Sequence, residues 1–460
     1  MTTRRSFLGG AAVTAADAAL HSTLPVFAQS ATGQTSGAPA DFHLEIAEVE
    51  WELAAHKKIR TWAYNGQIPG PLLRVTEGKP VSIEIANRTD HPEIVHWHGQ
   101  WIPVAADGAA EEGSPMIPSG ASTRITFTPR PAGLHWYHTH APADRNLSRG
   151  LYTGQFGVLQ VAPRSGPGLD PGHYDQEQFI VLHDWDPYYA SSDDGSLMVN
   201  YASGSINGRL LGHGEPIPVR PGQRVLFQIL NASATEPHWL SLPGHRFQVL
   251  ALDGAPVATQ ATVPMLRLGP AERVTAIVTM DHPGVWVLGE VQRTFRDAGM
   301  GIVVEYAGAT GEPQSTKLEH LTWDYRVFGS PTPAIHKPDL TIPLVFTSRF
   351  KGHGALDQWM INGKSYPRTQ MPNLHAGLRH RLVFINHSTD NHPVHLHRHN
   401  FELVSISGVP LSGVHKDVVV VDAGTTVEAD LIADNPGNTL FHCHQQDHMD
   451  MGFMGVFRYA

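Results

Sequence analysis

The chain has 460 residues, enough for two or three domains that each bury a core. Hydrophobic residues make up 41% and charged residues 17%, with 44 Gly and 35 Pro, a mix that favours short strands and tight turns over helices. A formal net charge of -10 excludes the basic face that a nucleic-acid partner needs, and a single Cys excludes an internal disulfide.

At the N-terminus Thr3-Arg4-Arg5-Ser6-Phe7-Leu8 precedes a small-residue stretch from Gly9 to Leu20, and Val26-Phe27-Ala28 offers a cleavage site. This resembles a bacterial twin-arginine signal, which implies export of a folded protein to the periplasm or beyond. Asp17 and His21 interrupt the apolar run, which argues against a membrane anchor. Residues 29–40 read as a flexible lead-in, so 1–40 stands apart from the folded chain.

Three strand-rich modules follow, predicted at 41–163, 164–312 and 313–460. The first carries Val95-His96-Trp97-His98 and Tyr137-His138-Thr139-His140, and between them Asp107 in an Asp-Gly pair. The second carries Pro237-His238-Trp239-Leu240-Ser241-Leu242-Pro243. The third carries His392-Pro393-Val394-His395-Leu396-His397 and Phe441-His442-Cys443-His444, with His448 beyond. His238 and His392, Phe247 and Phe401, and Gly254 and Gly408 are each 154 positions apart (392 − 238), which marks an internal repeat. Short alternating strands with Pro/Gly turns predict an all-β fold of Greek-key β-sandwiches.

The repeat also locates the chemistry. His-x-His on a strand puts both imidazoles on one face, because side chains alternate with period two. Four such pairs stand in apolar segments, where unpartnered imidazoles would be costly to bury. The first module keeps the histidines of the third but has Thr139 where Cys443 stands. The middle module has Ser241 and Pro243 at the first pair and Gly289, Glu290 and Val291 at the second, so it is expected to bind no metal and to serve as a spacer. Imidazoles converging from modules one and three suit several copper ions, and His392, Cys443 and His448 suit a blue-copper site.

His96-Trp97-His98-Gly99, His138-Thr139-His140, His392 to His397, and His442-Cys443-His444 with His448 resemble the four signatures of the multicopper oxidases, in the order of the three-domain, laccase-like bacterial branch. The resemblance implies three cupredoxin-like sandwiches in tandem and four coppers per chain. A type 1 copper would take His392, Cys443 and His448, and the type 2 copper His96 and His395. One type 3 copper would take His98, His138 and His444, the other His140, His397 and His442. It further implies one-electron oxidation of a small reductant, coupled to four-electron reduction of dioxygen to water. Phenols and aromatic amines lead among reductants, with Cu(I) or Fe(II), or a non-enzymatic copper-binding role, as alternatives. A monomer without a membrane anchor is expected.

Asp107 matches a carboxylate that bacterial members place beside the trinuclear cluster, and implies a proton relay; an Asp-Gly turn is the plainer alternative. Three departures stand out. Met449 replaces a second relay Glu of several relatives, Arg398 replaces the usual Gly, and Phe453 stands at the position of the axial Met. Met454 is expected on the opposite strand face, away from the metal. Met449, Met451 and Met454 together read as packing for the blue-copper pocket.

Overall fold

The computed structural model describes residues 39–164, 171–315, 321–334 and 336–460. The expected leader and most of the lead-in lie outside them. Among the described residues no helix is long and apolar enough to cross a membrane.

Alternation builds the first sheet. In Val81–Asn87 every second side chain is buried, as a strand with one face on a core requires. It pairs parallel with Phe42–Ala54 and antiparallel with Ser122–Phe127, and Lys57–Tyr64 completes the sheet. A second four-stranded sheet runs in the order Gly70–Thr76, Phe156–Ala162, Gly133–Thr139, Val95–His98. The two meet through Leu44, Ile83, Ile85, Trp97, Tyr137 and Leu159, each worth about 1.5–3 kcal/mol when fully buried.

Two more sandwiches follow. One packs a seven-stranded sheet on a five-stranded sheet, and the other a six-stranded sheet on a four-stranded one. The last strand of the first sandwich ends at Ala162 and the next begins at Gln176; the second sandwich closes with Gly301–Tyr306 and the third opens with Leu340–Arg349. The 154-residue repeat persists as geometry. Phe247–Leu252 and Phe401–Ile406 slip register at matching positions, between Val249 and Ala251 and between Leu403 and Ser405. Each then turns at two residues of positive φ, Asp253-Gly254 and Ser407-Gly408, as a tight hairpin requires.

The sandwiches share cores. Val181, Trp185, Leu230 and Ala271 of the second pack on Trp136, Phe156 and Val158 of the first, and Val418 of the third joins them. The histidine-bearing strands Val95–His98, His392–Leu396 and Thr439–Cys443 are buried along their whole length.

Candidate metal centre

Strand register sets the imidazoles face to face. His96 lies opposite His138 in one antiparallel pair, and His395 opposite His442 in another; directly opposed residues share a sheet face. The two sheets then abut. The ring of His98 stacks on that of His395 at 3.8 Å, and His96 on His397 at 4.0 Å. The structure brings together His98, His138 and His444; His140, His397 and His442; and His96, His98 and His395, with ligand atoms of each group within 4.8 Å of one another.

Hydrogen bonds choose which nitrogen of each ring is bare. Nδ1–H of His96 donates to the Asp107 carbonyl at 2.8 Å, that of His138 to the Thr139 carbonyl, that of His395 to the Asp417 carbonyl, and that of His442 to the Cys443 carbonyl. A carbonyl only accepts, so Nε2 of each ring carries a lone pair. His98 is reversed: its Nε2–H donates to Asp417 Oδ1 at 3.0 Å, leaving Nδ1 bare. His397 Nδ1–H donates to Asp107 Oδ2 at 2.8 Å, and its Nε2 faces His442 Nε2 at 3.1 Å. Two lone pairs aimed at each other repel unless a cation lies nearby. The bare nitrogens of His96, His98, His138, His395 and His444 are buried without a protein partner, as is His140 Nε2. Burial holds His98, His138, His395, His397, His442 and His444 well below the usual imidazole range, so they are neutral. The eight imidazoles, gathered with bare nitrogens facing one another, fit a copper cluster.

The thiol site lies one peptide away. Cys443 Sγ is 3.7 Å from His392 Nδ1 and 3.6 Å from His448 Nδ1, and the two nitrogens are 3.2 Å apart. Burial pushes the Cys443 thiol up and His448 down to about 3, so a thiolate here needs a cation beside it. Phe453 is fully buried with its ring 4.7 Å from that of His392, and Trp359 lies 4.0 Å from the His448 ring. Met454 packs instead with Ala109, Leu440 and Met449. The strand begins only at Met454, so the separation follows from the turn at Gly452 rather than from strand alternation alone. The shared role expected of the three methionines divides: Met449 and Met454 form that separate cluster, and Met451 lines a cleft with His448.

Three multicopper oxidase family models match residues 45–166, 177–300 and 338–460. The chain belongs to the multicopper oxidase family. It is 30% identical to the multicopper oxidase MmcO of Mycobacterium tuberculosis, over 86% of this chain and 82% of that one. It is 24% identical to Laccase-7 of rice (Oryza sativa subsp. japonica), over 86% and 87%. The crystal structure of a multicopper oxidase from Pseudomonas thermotolerans superposes with a TM-score of 0.71 at 25% identity, covering 92% of this chain and 100% of that one. This multicopper oxidase is therefore an oxidoreductase that uses dioxygen, built of cupredoxin-like sandwiches.

Around the cluster the structure places Asp107 and Arg398 and adds Glu111, Glu112 and Asp417, which spacing did not reveal. Asp107 ends a short helical turn, Val104–Asp107, which Gly108 closes with a left-handed φ of 86°. The turn and the cluster contact coexist: Asp107 offers its carbonyl to His96 and its carboxylate to His397, and Oδ1 is buried without a partner. Beside it Glu112 accepts from the Leu440 amide at 2.6 Å; burial, and then the charge of Asp107, raise Glu112 well above the usual carboxyl range. Glu111 Oε2 lies 3.9 Å from His140 Nδ1. Arg398 adopts φ 60°, which explains the Gly of relatives. Its buried guanidinium donates to the carbonyls of Ile102, Asn438 and Pro436 at 2.8 Å each, tying the first sandwich to the third. Asp417 was hidden in His415-Lys416-Asp417; the only signal was two charges set against the apolar run Val418–Val421.

Proposed function

We propose that this multicopper oxidase takes single electrons from a cationic reductant at the His448 edge and delivers them through Cys443 to the eight-imidazole cluster, where dioxygen becomes water. Copper held by His392, Cys443 and His448, and by the cluster imidazoles, would supply the one-electron acceptor and the dioxygen-reducing centre. Phe453 has no donor atom, so His392, Cys443 and His448 would be the three protein ligands of the first of these. Cys443 is joined by its own peptide bonds to His442 and His444, so the path between the sites is a few covalent bonds long. Asp107, hydrogen-bonded to His397, holds and passes the protons that water formation consumes. The twin-arginine leader fits export of the folded, loaded protein.

The observation that carries the substrate class is the cleft of about 570 Å³ onto which His448 opens. Asp194, Asp357, Asp390 and Asp447 line it together with Met198 and Met451, and no Lys or Arg does among the described residues. Asp390 Oδ2 lies 3.8 Å from His448 Nε2. Burial, and then the charges of Asp447, Asp357 and Asp194, raise the Asp390 carboxyl, which is the mark of anions without counter-ions. Such a cleft draws Cu(I), Fe(II) or cationic aromatic amines and disfavours phenolates, and the thioethers suit Cu(I). Steady-state oxidation of Cu(I), Fe(II), an aromatic amine and a neutral phenol under air tests this. Asp390→Asn should raise KM for the metal ions about tenfold and leave the phenol unchanged. Faster turnover of phenols than of metal ions, with KM for metal ions unmoved in the variant, would overturn the cationic reading. Asp107→Asn should slow turnover by about 10²-fold with the blue band intact, and increasingly so as pH rises and solvent protons become scarce.

A further inference from the structure

The second sandwich contributes no imidazole to the cluster, yet its Arg273 is among the largest fully buried side chains of the molecule. The guanidinium forms a two-pronged pair with Asp417 of the third sandwich, Nη1 to Oδ1 at 2.5 Å and Nη2 to Oδ2 at 2.6 Å. Its remaining donors are spent on backbone carbonyls: Leu134 of the first sandwich at 3.2 Å, and Ala271 and Asp253 of its own at 3.2 and 3.0 Å. Asp417 in turn touches two cluster imidazoles. Its Oδ1 accepts from His98 Nε2 and its carbonyl from His395 Nδ1. All three sandwiches therefore meet at one buried ion pair directly behind the cluster.

The surroundings are built to hold that pair still. Asp253 accepts from the Arg273 amide at 2.9 Å with Oδ1, and with Oδ2 from Lys416 at 2.9 Å and from the Val418 amide at 3.2 Å. Lys416 reaches Glu272 at 3.0 Å, and Tyr325 donates to the same carboxylate at 2.5 Å. On the cluster side the signature glycine Gly99, directly after His98, has φ 82°; a Cβ there would stand 2.7 Å from Asp417 Oδ2 and 2.8 Å from Arg273 Nη2. The glycine is required because its φ is left-handed and because His135 Nδ1, 2.6 Å from that Cβ, and the ion pair together fill the place of a side chain.

We propose that Arg273 is a positioning residue of the cluster: by orienting Asp417 it selects the Nε2–H tautomer of His98, so that Nδ1, unlike the Nε2 used by its neighbours, faces the metal. Without the guanidinium, the Asp417 carboxylate loses the two-pronged pair that fixes its plane, and His98 loses an acceptor held at a set position. Partners that orient a metal-bound imidazole typically govern affinity by about 10–100-fold. The second sandwich, which adds no imidazole to the cluster, is thus part of the copper site's machinery, not only a spacer. The inference rests on the reading of the eight imidazoles as copper ligands.

Arg273→Met and Arg273→Lys in the full chain test it, with Lys preserving charge and losing the planar fork. Each is titrated with copper against a chelator, and the resonance of the mononuclear cluster copper and the near-ultraviolet absorption of the coupled pair are recorded beside the blue thiolate band. The expected result is about 10–100-fold weaker cluster loading and altered cluster signals in Met, a smaller change in Lys, and an unaltered blue band. If Arg273→Met does not fold, the Lys variant alone decides. Wild-type-like affinity and cluster spectra in either folded variant would overturn the proposal, whatever the thermal stability. So would equal loss of cluster and blue copper, which marks a general packing defect. A wild-type protein that takes up no cluster copper would instead fail the ligand assignment itself.

Discussion

His392 and His238 occupy the same position of a repeated strand and meet opposite fates. In the third sandwich Val394 lies opposite Cys443, and His392 Nδ1 faces the sulfur. In the second, Leu240 lies opposite Glu290, which stands where the thiol would be. His238 is there held by two carboxylates, Nε2 by Asp184 at 2.9 Å and Nδ1 by Glu290 at 3.1 Å. Burial alone would drive His238 down; Asp184 and then Glu290 overcome it and raise it to about 10. His392, whose ring nitrogens meet the neutral thiol and the Ser388 hydroxyl rather than carboxylates, is lowered by burial and then by His448. The backbone is shared, and the chemistry is set by the carboxylates that replace the thiol site: Glu290 across the strand pair and Asp184 from the neighbouring sheet. A soft thiol with bare imidazoles suits copper, whereas a carboxylate at the same place suits a proton on the ring. Gly299, the counterpart of Phe453, lies within 2.6 Å (from its would-be Cβ) of the Gly204 carbonyl, so the second sandwich has no room for a side chain where the third has its pocket floor.

Breaking the third-sandwich site should have the largest effect. Cys443→Ser should abolish the blue band and lower turnover by at least about 10³-fold, while metal analysis falls from about four coppers per chain to about three. Retained blue colour, or loss of all copper, would contradict the separation of the two sites. Breaking the second-sandwich site should instead cost stability. His238→Ala leaves Asp184 and Glu290 buried without their cation, and chemical denaturation should register a loss of about 3–5 kcal/mol with copper content unchanged.

The same triad carries a pH signature. Because the folded value of His238 is raised to about 10 from 6.5, its contribution is complete below pH 6.5 and is lost as pH rises toward 10. Wild type should therefore lose stability over that window, and His238→Ala should lose less. Equal slopes for the two proteins would remove the imidazolium from the account. The smallest effect is expected at the pocket floor. Phe453→Met adds a thioether beside His392, and should lower the reduction potential and slow oxidation of weak donors by about three- to tenfold at constant copper content. An unaltered potential would show that residue 453 does not reach the metal.

Much of this was legible along the chain. Strand periodicity predicts which imidazoles share a face, the repeat aligns the imidazole and thiol positions with their replacements, and Cys443 between two histidines ties the sites together. These are local regularities, and a period of two survives any arrangement of the sandwiches. Tertiary structure alone decided that Arg273, Asp417 and His98 meet, that Glu112 sits beside Asp107, that Arg398 clamps carbonyls of two sandwiches, and that aspartates from the second and third sandwiches converge on His448. Most of these contacts join segments far apart in the chain, and Glu112, only five positions from Asp107, is set beside it by the course of the loop; in every case the spacing carries no period. Charge also reads in sequence as solvent-facing by default, and only packing reveals which charges are buried in pairs.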